Sequence, residues 1–152
     1  MDNLIVRLAT PDDLDALIAL FADDQLGGHG DSADPALRPA YLAAFERIAA
    51  SPSQHLYVAE LEGAVVGTFE LTLSTDLVER GATKAILEAV QVRSDLRGRR
   101  IGEAMVHFAM NEARRYGAVG MKLTSNAKRV DAHRFYERLG FAKSHAGFTI
   151  KL

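Results

Sequence analysis

A short apolar segment, Leu87-Glu88-Ala89-Val90-Gln91-Val92, runs straight into a basic loop punctuated by glycine, Leu96-Arg97-Gly98-Arg99-Arg100-Ile101-Gly102. That loop opens a stretch of helical periodicity. Strand, turn and helix start in this order make a place for phosphate. The first backbone N–H groups of a helix have no intrahelical acceptor, and the helix dipole adds partial positive charge at the same point. Arg93, Arg97, Arg99 and Arg100 crowd this loop although the chain carries a formal net charge of −2. Such a local cluster suits one small anion. A long polyanion would ask for an overall basic excess, so nucleic acid is not an expected partner.

The chain of 152 residues is long enough for one domain that buries roughly 68–70% of its unfolded surface. With 48% apolar and 25% charged residues it reads as globular. It contains no cysteine, which excludes disulfides, thiolate metal sites and a thioester formed on the protein itself. The beginning, Met1-Asp2-Asn3, is acidic, and no run approaches the ~18 apolar residues of a membrane span. A cytoplasmic protein without membrane association is the expectation.

Along the chain, Leu4–Leu8 reads as a strand, and Thr10-Pro11-Asp12-Asp13 as a helix start leading into Leu14, Leu17, Ile18 and Phe21. Residues 23–34 form a glycine-rich acidic loop, and 35–50 a second helix ended by Ser51-Pro52-Ser53. Leu56–Ala59 and Val65–Leu73 flank a Glu62-Gly63 hairpin turn. A loop over 76–83 precedes the strand 84–92. A helix over 102–116 has Gly117 as its C-cap. A strand over 121–124, a helix N-capped by Asp131 and closed at Gly140-Phe141, and a last strand over 148–152 complete the pattern. The order is β-α-α-β-β-β-α-β-α-β, an α+β arrangement of helices on a mixed sheet.

The segment from Val92 to Gly102 resembles the acyl-CoA loop of the GNAT superfamily of N-acetyltransferases. Arg97 and Gly102 match the outer positions of its motif, and Arg100 stands where the inner glycine usually lies. Asn126, Ala132, Phe135-Tyr136-Glu137 and Gly140-Phe141 resemble the family's C-terminal motif. The resemblance implies a splayed sheet of six to seven strands flanked by about four helices, with acetyl-CoA as cosubstrate and no metal. It places the pyrophosphate on the amides of Gly98, Arg99, Arg100, Ile101 and Gly102, beside Arg97. It runs the pantetheine arm along Val90, Gln91 and Val92, often at a bulge, with Asn126 facing its amides. A homodimer is compatible with the same likeness. An arginine at position 100 bears strain if that position needs a positive φ.

Acetyl transfer to an amine poses three chemical problems. A lysine-like amine has a pKa near ~10.4 and arrives protonated, so a carboxylate must take its proton. Glu88 is the favoured base, with Glu70 and Glu60 as rivals on neighbouring strands, and Glu88 as a plain surface residue the alternative. The oxyanion needs a backbone donor, for which Val90 N–H is expected. The departing thiolate needs a proton or hydrogen bond, a part the resemblance gives to Tyr136; otherwise Tyr136 is a core aromatic and Asn126 a turn residue. Asp23, Asp24, Asp31 and Asp34 would draw a cationic acceptor, a small molecule or peptide with a primary amine. The histidines, including His29, lack metal spacing. The competing class is a non-catalytic acetyl-CoA sensor, which needs the loop but neither Glu88 nor Tyr136.

Overall fold

The computed structural model describes residues 3–24 and 29–152; part of the acidic loop, 25–28, lies outside the described residues. Five strands form one sheet: β1 (Leu4–Leu8), β2 (Gln54–Leu61), β3 (Ala64–Thr75), β4 (Thr83–Val92) and β5 (Gly120–Lys122). They lie side by side in chain order, antiparallel as far as β4 and parallel between β4 and β5. The helix between β4 and β5 supplies the crossover a parallel pair requires.

Alternation along the strands sorts the sheet's two faces. Tyr57, Ala59, Phe69, Leu71, Ala85 and Leu87 point to one face and pack beneath α4 (Ile101–Arg115), which buries Ile101, Met105, Val106, Ala109 and Ala113. Val58 points the other way, to α1 (Leu14–Ala22) and α2 (Arg38–Ala50), whose Leu14, Leu17, Ile18 and Phe45 are buried there. Each aliphatic side chain fully buried in this way contributes roughly 1.5–3 kcal/mol.

Local chemistry fixes the connections. Glu62 and Gly63 both have positive φ (52° and 81°), the backbone a two-residue hairpin of primed type needs. Helix α4 ends at Gly117 (φ 87°), where Ala118 N donates to Ala113 O and Gly117 N to Arg114 O. Helix α5 (Val130–Arg138) ends the same way at Gly140, with Phe141 N donating to Tyr136 O and Gly140 N to Glu137 O. Both are Schellman closures.

Three expectations need correction. The sheet has five strands among the described residues, not six or seven, because 142–152 pairs with nothing as a strand and leaves Phe148 and Ile150 exposed. Apolar alternation there has no partner edge to express it. Asp131 does not cap α5; the helix begins at Val130 with Arg129 as the N-cap. Within the expected loop 76–83, Val78–Gly81 winds into a single turn, α3, with left-handed φ at Glu79, Arg80 and Gly81.

Candidate active site

The site begins with a fault in β4. Thr68 of β3 faces Gln91 and Glu70 faces Glu88, so Phe69 stands against two residues, Ala89 and Val90. Ala89 takes φ 52°, and the ladder is interrupted by this bulge. A second change occurs on the other side of the strand. Pairing with β5 covers only Lys84, Ala85 and Ile86, opposite Gly120, Met121 and Lys122. Beyond Ile86 the strands part, and among the described residues the outer edge of β4 from Leu87 to Val92 has no strand beside it. The chain after β5 turns away instead, with Arg129 N donating to Asn126 O. The result is a wedge along the outer edge of β4 from Val90 to Val92, where no strand takes up the main chain.

The basic loop closes the wedge at one end. Gly98 has φ 79° with open space around it, and Arg100, the N-cap of α4, is left-handed at φ 63°. The strain foreseen for an arginine at position 100 is therefore present. No side chain caps this helix, and its first internal bond is Ala104 N to Arg100 O at 3.1 Å. The amides of Ile101, Gly102 and Glu103 thus have no intrahelical acceptor. Of the arginines, Arg93 is tied to Asp95 at 2.7 Å, and Arg97 leans to Val92 O at 3.4 Å. Arg99 and Arg100 are exposed. Arg93 is therefore engaged locally.

Helix α5 forms the opposite wall. The Phe135 Cζ lies 3.5 Å from where a Cβ on Gly102 would sit, and Val92 Cγ2 lies 3.7 Å from the same point. Both are ordinary van der Waals distances, so α5 packs against the start of α4 without needing a glycine there. Tyr136 is half-buried among Phe135 and Phe141, with ring centroids 5.1 and 5.7 Å away. Burial raises the affinity of its phenol for a proton, against the opposing charge of Arg129. Asn126 is exposed, and its Oδ1 accepts from Lys128 N at 2.9 Å. The turn reading of Asn126 is thus realised, and its amide N–H2 end remains a donor. Beside it the Ser125 hydroxyl is buried with no partner among the described residues.

The candidate carboxylates separate cleanly. Glu60 is held by Arg7, Nη2 to Oε2 at 2.9 Å, in a network with Asp13. Glu70 and Glu88 stand directly opposite each other on the face away from α4, just before the bulge. Glu88 is exposed; Glu70 is half-buried and accepts from Gln54 Nε2 at 3.2 Å. Burial and then the charge of Glu88 push the Glu70 carboxyl up. Two acids expected to attract an acceptor have local tasks: Asp31 accepts from Tyr41 Oη at 2.7 Å, and Asp34 accepts from Ala36 N at 3.0 Å. No group of three metal-ligating side chains occurs among the described residues.

Ala89 carries no signal in the sequence, because alanine rarely takes positive φ. The pairing of Glu70 with Glu88 becomes visible only once the strand register is known.

A parted parallel strand pair, a bulge at its mouth and an uncapped helix start beside it make up the candidate site. The model of the acetyltransferase (GNAT) family matches residues 14–141, and the chain belongs to that family as an N-acetyltransferase. It is 35% identical over 144 residues to an aminoalkylphosphonate N-acetyltransferase of Salmonella typhimurium, covering 95% of this chain and 88% of that one. A Bacillus halodurans crystal structure described as a transcriptional regulator superposes with a TM-score of 0.94 at 33% identity, covering 99% of this chain and 100% of the other. The aminoglycoside N-acetyltransferase AAC(6')-Iy in complex with CoA shares the fold at 17% identity and a TM-score of 0.81, covering 99% and 95%.

Proposed function

We propose that this chain transfers the acetyl group of acetyl-CoA directly to the primary amine of a small molecule or peptide. The observation that carries the reading is the wedge between β4 and β5, opening beside the uncapped start of α4. The residues suit the cosubstrate. The amides of Ile101 and Gly102, which have no intrahelical acceptor, together with those of the turn from Gly98 to Arg100, would take the diphosphate, with Arg97, Arg99 and Arg100 adding charge. The outer edge of β4 along Val90, Gln91 and Val92, which no strand covers, can receive an extended amide-bearing arm, and Asn126, whose amide N–H2 end remains a donor, adds a polar group for it. A CoA complex of a protein sharing this fold supports the assignment.

The thioester supplies an activated acetyl group; the chain's own residues handle protons and geometry. Glu88, exposed beside the bulge, receives the acceptor's ammonium and takes its proton. The Val90 N–H, redirected by the left-handed Ala89, donates to the oxygen that becomes negative as nitrogen attacks. The C–N bond forms and the C–S bond breaks. Tyr136 then gives a proton to sulfur and is repaid by the proton released from nitrogen as the amide forms. Its apolar cage favours the protonated phenol this step needs. With no cysteine to carry an acetyl group, transfer is expected in a ternary complex.

A screen of acetyl-CoA turnover against amines, polyamines, amino acids, aminoglycosides, peptides and aminoalkylphosphonates, read by released thiol, tests this. The last class is included because the 35%-identical relative is named for it. Intersecting double-reciprocal plots are expected. Parallel plots would overturn direct transfer, and tight coenzyme A binding without turnover on any amine would favour the sensor.

A further inference from the structure

We propose that Glu70 and Glu88 act as one carboxylate pair, with Glu88 meeting the acceptor's ammonium and Glu70 holding the proton it gives up. The inference rests on the reading above and adds a residue and a division of labour to it.

The geometry comes from strand register. Directly opposed residues of an antiparallel pair share a face and bring their Cβ atoms to within about 4.5–5.5 Å. Glu70 and Glu88 occupy such positions, immediately before the bulge that interrupts the ladder. Like charges so placed repel, and a strand pair ordinarily avoids them. Here the repulsion falls on two unequal side chains, because Glu88 is exposed while Glu70 is half-buried. A proton entering the pair therefore settles on Glu70, where loss of charge removes both the burial penalty and the repulsion. Gln54 Nε2 donates to Glu70 Oε1 at 3.2 Å and limits this preference by favouring the ionised form.

The surrounding charges leave the pair to itself. On the same face of β4, Lys84 is bound to Glu79 at 2.6 Å. Lys122 of β5 stands beside Ile86, on the other side of β4 from Glu70. Glu60, the remaining strand carboxylate on this face, is held by Arg7.

The step balances. An ammonium and two carboxylates become a free amine and a pair carrying one proton. The amine attacks, and the second nitrogen proton leaves by way of Tyr136 to sulfur. The pair then returns its proton to water, accounting for the one proton released when an ammonium is acetylated.

The test compares wild type with Glu70→Gln, Glu88→Gln and Gln54→Leu in the full chain, using pH profiles of kcat and KM and a carboxyl-carbon NMR titration of Glu70. Glu70→Gln should lower kcat by about 10²-fold or more and abolish the acidic limb. Coenzyme A binding by calorimetry should stay unchanged. Glu88→Gln should raise acceptor KM several-fold and move the limb to lower pH, whereas Gln54→Leu should move it higher. The NMR titration needs no turnover. A Glu70 carboxyl that titrates in the ordinary glutamate range and ignores Glu88→Gln would overturn the pair, as would an unchanged acidic limb in Glu70→Gln. A chain that shifts Glu70 on Glu88→Gln yet acetylates no amine defeats the transferase reading while keeping the coupled carboxyls.

Discussion

Gly67 of β3 lies directly beneath Met105 of α4: a Cβ on the glycine would come within 2.6 Å of the methionine sulfur and 3.1 Å of Gln91 O. The helix can sit this close to the sheet only because that carbon is missing. Gly67→Ala should therefore destabilise the fold by about 1–3 kcal/mol through overpacking. Thermal unfolding would show it as a lower Tm, at about 2–4 °C per kcal/mol for a chain of this size. Gly63→Ala, where nothing lies within 4 Å, provides a control that carries backbone strain alone.

Arg100 adopts a left-handed backbone that costs an arginine of order 1–3 kcal/mol. Arg100→Gly should relieve that strain and raise Tm, partly offset by greater freedom of the unfolded chain. The helix amides remain, so coenzyme A affinity should fall by less than about tenfold, as expected for one exposed ion pair. Calorimetry checks the second outcome, and a larger loss would make the guanidinium the principal anchor.

Tyr136→Phe retains the ring contacts with Phe135 and Phe141 and removes only the hydroxyl. Its kcat should drop by about 10²-fold or more, while acetyl-CoA affinity stays near wild type. Unchanged kcat in steady-state kinetics would return Tyr136 to a purely structural role.

Acid should weaken the fold through identifiable groups. Asp13, buried, accepts from Arg7 Nη1 at 2.8 Å and from Thr10 N at 2.7 Å. The Arg7 hydrogen bonds above all hold its carboxyl below the usual range. A group lowered in this way contributes stability that is present above the unfolded-state pKa, near 4, and is lost as pH falls through the folded value. His55 adds to the loss at higher pH. It stacks on Tyr116 at 4.4 Å with a buried, partnerless Nε2, and burial lowers its affinity for a proton. Its contribution fades as pH drops below about 6.5. Denaturant melts of His55→Asn should flatten the upper part of the decline, and those of Asp13→Asn the lower part.

Local signals read well from residues alone. The helix closures at Gly117 and Gly140, the Glu62-Gly63 turn and the basic loop all depend on chemistry within a few positions. What stayed hidden depends on partners. Apolar alternation at Phe148 and Ile150 predicts a strand, but a strand exists only where another edge receives it. Glu60, Glu70 and Glu88 look alike in sequence, and only register separates a salt-bridged carboxylate from an opposed pair. Asn126 satisfied a motif and proved also to be a turn residue through Lys128 N.

The left-handed alanine at position 89 has one more consequence. The bulge on one side of β4 and the early end of pairing with β5 on the other are both set by the chain's own main chain, so the opening is a property of the polypeptide and not of whatever settles there. If the proposed cosubstrate seats there, its capture waits on collision, hastened by the arginines of the neighbouring loop, and not on a rare fluctuation.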